Sequence, residues 1–246
     1  MKKAIVITGS TKGIGKATAI KALESNYFVY LNYAHDENAA VQCGKMLDAK
    51  GYADSYKIIK ADMSDIDSLE SFVSQIDFEQ HILSGVVLNA ASNGIAHNTF
   101  EQITPVEMEA MFRINLFAPF FLVQKLADKI CDGGAIIFVS SHMGIYPHST
   151  YIPYGLTKSS EIFLTKMLVK EFSERKITVN AVAPGFTKTE MFPGNRTKEH
   201  LESIRQKIAA HRFGKPDEVA KVIINVLENP YMNGNVISVD GGYNYK

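Results

Sequence analysis

The sequence carries no surplus of charge: 26 Lys and Arg stand against 26 Asp and Glu in 246 residues. That balance excludes the basic field that would draw the chain onto nucleic acid or an anionic membrane surface. A small molecule or another protein is the expected partner. Cysteine is almost missing. Cys43 and Cys131 have no metal-ligand spacing, and a chain of this size needs no disulfide staple, so both read as buried, reduced and structural. Long apolar runs are missing too: the run after the opening MKK ends at Thr8-Gly9, too short for a signal segment or a membrane span. It reads instead as the first β-strand of a cytoplasmic protein. The triplet Asn195-Arg196-Thr197 matches a glycosylation acceptor, which without a secretion signal is a chance match. No repeat, linker or low-complexity stretch divides the chain. With 46% hydrophobic and 21% charged residues, 1–246 fits one large α/β domain.

What is there alternates. Short β-rich apolar runs at 3–8, 28–33, 56–61, 85–90, 135–140, 177–182 and 235–240 read as buried strands. Helical spacing fills the intervals, over about 13–26, 36–50, 64–76, 105–130, 152–174 and 216–228. The last is the clearest: Pro216 suits a first turn, and Val219, Val222, Ile223, Val226 and Leu227 repeat on one face. Such alternation argues for a seven-stranded parallel sheet with helices on both faces. The polar stretch 186–207 breaks the pattern and reads as a loop with short helices over the carboxyl edge of the sheet, where a substrate lid belongs.

Directly after the first strand comes TGSTKGIG, residues 8–15. Glycines at 9, 13 and 15 permit a tight turn and bring backbone N–H groups close to an anion at the next helix's positive end. Taken alone, Gly13-Ile14-Gly15 could be only a turn; a strand before it and a helix after it favour a phosphate loop. Farther along, YIPYGLTK holds two tyrosines and one lysine at 151–158. Tyr154 and Lys158 are i, i+4 neighbours with Cβ atoms about 6 Å apart. Tyr151 is seven residues from Lys158, roughly 10 Å along the axis, beyond a proline that disfavours helix before it. Tyr154 is therefore the lysine's partner, and Tyr151 belongs at a pocket rim.

TGxxxGxG together with Tyr154-x-x-x-Lys158 resembles the short-chain dehydrogenase/reductase family over nearly the whole chain. The ordered set continues with Asp62, Asn89-Ala90, Asn115, Ser140-Ser141, Pro184-Gly185, Thr189 and Val239-Asp240-Gly241-Gly242. The resemblance implies a single doubly wound Rossmann-type domain and an oxidoreductase using a nicotinamide cofactor. It implies cofactor contacts at Gly9, Thr11, Lys12, Gly13, Ile14, Gly15, Asn32, Tyr33, Asp62, Met63, Asn89, Ala90, Tyr154, Lys158, Pro184, Gly185, Thr187 and Thr189. NAD-preferring dinucleotide folds place an acid about 20 residues past the glycines. Here that position holds Asn32, Tyr33 and Ala34, and Lys12 occupies the basic position of similar NADP-dependent members. NADP(H) is expected ahead of NADH. The rival reading has Asp36 holding a ribose, although Asp36-Glu37 suits the start of a helix.

On the same resemblance Tyr154 gives the proton when a ketone is reduced, Lys158 activates it, Ser141 stabilises the carbonyl oxygen and Asn115 supports a proton relay. A nearby ammonium favours the phenolate, so Lys158 is expected to move the tyrosine's pKa downward. Ser140, one residue off in extended chain, should face the other way. His142 and His148 are candidates for substrate contact, but no cysteine or acid stands at ligand spacing with them, so no metal is expected. Phe186-Thr187-Lys188-Thr189-Glu190-Met191 is similar to the PGFxxTxM pattern of the 3-oxoacyl-[acyl-carrier-protein] reductase branch, implying a small-molecule or carrier-protein-bound carbonyl substrate. Two departures stand out. Leu88-Asn89-Ala90-Ala91 replaces Asn-Asn-Ala-Gly, and Asp132 sits where relatives carry a docking arginine, leaving Arg175 and Lys129 as the basic candidates. Family members associate through the helices bearing Asn115 and Tyr154, so a homodimer or homotetramer is expected.

Overall fold

In the computed structural model, which describes residues 1–96, 99–192 and 197–243, seven strands form one parallel sheet in the order β3-β2-β1-β4-β5-β6-β7. The strands are β1 Lys2–Ile7, β2 Phe28–Tyr33, β3 Tyr56–Lys60, β4 His81–Leu88, β5 Ile130–Val139, β6 Thr178–Pro184 and β7 Val236–Val239. Period-2 alternation sends their side chains into two cores. Val6, Tyr30, Val86, Phe138 and Ala181 face one layer; Ile7, Leu31, Val87, Ile137 and Val182 face the other. Helices α1 Gly13–Glu24, α2 Glu37–Ala49 and α8 Pro216–Glu228 cover the second layer; α3 Ile66–Ser74, α5 Ala118–Leu126 and α6 Ile152–Glu171 cover the first. Strand order reverses between β1 and β4, and the carboxyl ends of the strands open a crevice there.

Three expectations need correction. β4 and β5 begin earlier than the apolar runs at 85 and 135, because Leu83 pairs with Ile130 before a register shift at Gly85, and the polar Cys131–Gly134 stretch conceals the start of β5. The single helix expected over 105–130 is α4 Pro105–Phe112, a π-helical turn Arg113–Phe117, and α5, with its last helical residue at Leu126. Cys43 is buried, and burial raises its thiol pKa, but Cys131 is only half-buried. Over the carboxyl edge, α7 Lys198–Gln206 packs Ile204 and Leu201 with Phe186, Phe192, Phe213 and Tyr243. Residues 193–196 of the expected lid, including Asn195 and Arg196 of the glycosylation triplet, lie outside the described residues. No helix among the described residues is long and apolar enough to cross a membrane.

Candidate active site

A cavity of about 600 Å³ runs along the crevice. Its floor is made of backbone tied together by three polar side chains. Thr8 Oγ1 accepts from the N–H groups of Asn89 and Ala90, both at 2.9 Å, and Asn89 Nδ2 donates to the carbonyls of Thr8 and Gly9 at 3.0 and 2.9 Å. Asn32 Oδ1 accepts from Gly9 N at 3.1 Å, while its Nδ2 donates to Ala61 O at 2.9 Å. One buried amide thus spans β1, β2 and β3. Gly13 has φ +53°, a left-handed conformation, and a Cβ on Gly15 would stand 2.4 Å from Gly9 O and 2.6 Å from Asn89 Nδ2. No side chain caps α1 at Lys12, and no acid occupies its first turn, so its unpaired N–H groups face the cavity beside Gly9, Gly13 and Ile14. The loop fits the phosphates of a dinucleotide.

The adenosine end carries mixed charge. Lys12 Nζ pairs with Asp36 Oδ2 at 2.8 Å on the surface, and Asp36 Oδ1 caps α2 by accepting from Ala39 N. That pairing holds the Asp36 carboxyl below its usual range, with the Lys12 hydrogen bond as the main cause. Asp36 is thus the helix start that its sequence suggested. Burial pushes Asp62 upward, but hydrogen bonds from Ser64 and the nearby His35 outweigh it, and the carboxyl is held low.

The opposite wall holds the side chains. Ser141 follows β5, its Oγ accepts from Met143 N at 3.2 Å, and its hydroxyl pulls the Tyr154 pKa downward. Ser140 turns away and donates to Lys158 O at 2.8 Å. Tyr154 keeps partial exposure along the wall while its hydroxyl is enclosed, and Lys158 Nζ lies 5.7 Å from its ring centre. The tyrosine's pKa is raised, against expectation. Burial outweighs the downward pull of Lys158 and Ser141, and a further carboxylate, Glu161, adds to the rise. Glu161 is 2% exposed and takes the Lys158 ammonium at 2.9 and 3.1 Å. Spacing i, i+3 from Lys158 was its only signal in the sequence.

Asn115 sits in the π-helical turn behind the wall. Its Oδ1 accepts from Ser92 N, and its Nδ2 donates to Ser92 O and approaches Thr157 Oγ1 at 3.0 Å, fastening the loop after β4 to α6. Thr11, Gly15, Tyr33, Asn115 and the substrate-contact candidate His148 stand outside the cavity lining; the other expected site residues line it. Sequence reading missed Ala34, His35, Asn93, Ile114 and Met143, which come from loops and from the short helical turns 113–117 and 142–144 and belong to no motif. His142 is 3% exposed, packs on the rings of Phe186 and Tyr243, and is held neutral by burial, its pKa lowered to about 4. Among the described residues no cluster of His, Cys, Asp and Glu could hold a metal ion.

A family model described as short chain dehydrogenase matches residues 3–200. The 3-oxoacyl-[acyl-carrier-protein] reductase of Staphylococcus aureus is 31% identical over 98% of each chain. Versicolorin reductase 1 of Aspergillus parasiticus is 30% identical over 98% of this chain and 95% of that protein. A short chain dehydrogenase of Burkholderia cenocepacia, solved in complex with NADP, superposes with a TM-score of 0.90 at 27% identity, covering 98% of this chain and 97% of the other.

Proposed function

The chain belongs to the short chain dehydrogenase family of NAD(P)-dependent oxidoreductases, and on that premise we propose that it is an NADPH-dependent ketoreductase that converts a 3-oxoacyl thioester, of the acyl-carrier-protein type, to the 3-hydroxyacyl form. The observation that carries the reading is one cavity holding the glycine loop on its floor and Ser141, Tyr154 and Lys158 on its wall. NADP(H) as cofactor is supported by the NADP-bound Burkholderia relative, by Lys12 at the loop, and by Asn32-Tyr33-Ala34 where an acid would repel a 2′-phosphate.

When bound, the nicotinamide supplies the hydride that reaches the carbonyl carbon. Gly9, Gly13, Ile14 and the amino end of α1 would hold the phosphates, Asp62 and Met63 the adenine end, Asn89, Ala90, Pro184, Gly185 and Thr187 would line the rest of the cofactor's path, and Thr189 would bind its amide or phosphates. Ser141 hydrogen-bonds the carbonyl oxygen and stabilises its developing charge. Tyr154 delivers the proton to that oxygen, and its ring-side neighbour Lys158 favours the phenolate left behind. Asn115 keeps the loop after β4 and α6 in register, so that the relay behind Lys158 stays formed.

A second reading, a short-chain dehydrogenase of a sugar, polyol, sterol or other small alcohol or ketone, is favoured by a specific observation. Arg175 pairs with Asp132 at 2.9 Å and also donates to the carbonyls of Ala127 and Ile130, while Lys129 pairs with Asp128 at 3.0 Å. Both basic residues at the carrier-protein docking position are therefore already engaged, and versicolorin reductase is among the relatives. NADPH oxidation followed by absorbance, with acetoacetyl thioester beside a panel of plain ketones, separates the two. Faster turnover of the thioester supports the acyl reading; turnover of the ketones alone replaces it.

The protein works in the cytoplasm as a homodimer or homotetramer formed through the helices carrying Asn115 and Tyr154. Phe117, Phe120, Phe163 and Met167 on those helices are 40–65% exposed, an apolar surface suited to a second copy. Light scattering that returns the mass of one chain removes the oligomer.

A further inference from the structure

Among the described residues, Lys158–Glu161 is the one ion pair hidden from water: both side chains are 2% exposed, whereas every other pair has side chains 24% or more exposed. An ammonium has three protons, and Lys158 faces three acceptors, the two Glu161 oxygens and Val139 O at 2.9 Å. A buried charge that is paired and hydrogen-bonded on this scale is costly to disturb. We propose that Glu161 is a positioning residue: a buried counter-ion that sets how much of the Lys158 charge reaches Tyr154. The proposal rests on the reading of Tyr154 as the proton donor.

The electrostatics run the same way. Lys158 lowers the pKa of Tyr154 and Glu161 raises it, so the carboxylate cancels part of the lysine's influence. Burial pushes Glu161 itself up to about 7, against the pull of Lys158 and the Ser140 hydroxyl. Burial thus favours the neutral acid, while the Lys158 ammonium favours the carboxylate that offsets its charge. The surroundings add little. β6 carries no ionisable side chain, and Cys131 and Asp132 stand at the far end of β5. His142 in the turn after β5 is held neutral, and Glu107, Glu109 and Arg113 on the packed helices are exposed or half-exposed and contribute to neither shift.

The test reads Tyr154 directly, without substrate. Phenolate absorbance after a stopped-flow pH jump is recorded for the wild-type chain minus Tyr154→Phe, and for Glu161→Gln minus its Tyr154→Phe double variant. The midpoint is expected about one unit or more lower in Glu161→Gln, which is about tenfold more phenolate at a fixed pH below it. Glu161→Asp, which keeps the charge, should stay near wild type. Glu161→Ser, with room for a water against Lys158, serves as the second charge-free variant if the amide fails to fold. Equal midpoints in the wild-type and charge-free chains overturn the proposal, as does a charge-free variant that loses activity at every pH with the Tyr154 titration unmoved. Because no carbonyl compound enters the absorbance measurement, failure of the 3-oxoacyl reading would appear separately, as inactivity on thioesters with the shift intact.

Discussion

The floor and the lid of the same cavity are held by different forces. On the floor, Thr8, Asn32 and Asn89 lock backbone to backbone across four strands, and the glycines leave no room for any other side chain. Over the lid, Phe186, Phe192, Phe213, Tyr243 and His142 meet ring to ring, with centroids 4.8–5.6 Å apart. Directional hydrogen bonds fix a geometry that recognises a constant group. Aromatic packing tolerates replacement by other apolar side chains of similar volume. The proposed function uses that contrast, with the cofactor assigned to the floor and the substrate to the lid.

The sharpest test lies where floor and lid meet, at the wall. Tyr154→Phe should lower kcat by about 10³-fold or more while NADPH binding, read by fluorescence titration, stays within about twofold. Substantial residual reduction would detach the chemistry from this wall.

The lid should respond to acid where the floor does not. The pKa of His142 in the folded chain, about 4, lies below its unfolded value of 6.5, so its contribution is complete above pH 6.5 and is lost as pH falls toward 4. That loss amounts to roughly 3 kcal/mol. Urea denaturation of wild type and His142→Gln across this window should show the steeper acid slope in the wild type, above the slope that the low-held carboxyls of Asp36 and Asp62 give both chains. Parallel slopes would remove His142 as the lid's acid-sensitive anchor.

A methyl group added to the floor should be felt next. Gly15→Ala pushes a carbon against Gly9 O and Asn89 Nδ2; it should cost about 2 kcal/mol in thermal unfolding and weaken cofactor binding more than substrate binding. An unchanged melting temperature would mean that the floor yields as readily as the lid.

The smallest effect belongs to Lys12, which is 44% exposed and already paired with Asp36. Lys12→Ala should reduce the NADPH over NADH preference in kcat/KM by a few fold, of the size expected for an exposed charge contact. No change in the ratio would shift the 2′-phosphate contact to another residue.

Sequence reading succeeded where a local rule was sufficient. β2 and α8 begin and end where the apolar pattern does, and the glycines of TGxxxGxG form the tight turn expected between β1 and α1, with Gly9 and Gly13 at positive φ. It failed where a partner distant in sequence decides. Asn115 exchanges hydrogen bonds with Ser92 and reaches Thr157, and it lies within the π-helical turn that divides the helix expected over 105–130. Asn32, expected as a cofactor contact, has its amide engaged by Gly9 and Ala61.

By itself, then, the sequence determined the alternation of strands and helices, the phosphate loop, and the pairing of Tyr154 with Lys158. Periodicity, glycine dihedrals and helical spacing each act over a few residues. The folded structure alone decided how acidic Tyr154 is and what Lys158 is bonded to. Desolvation sums over every neighbour in space: burial and Glu161 raise the tyrosine's pKa where the lysine alone would lower it.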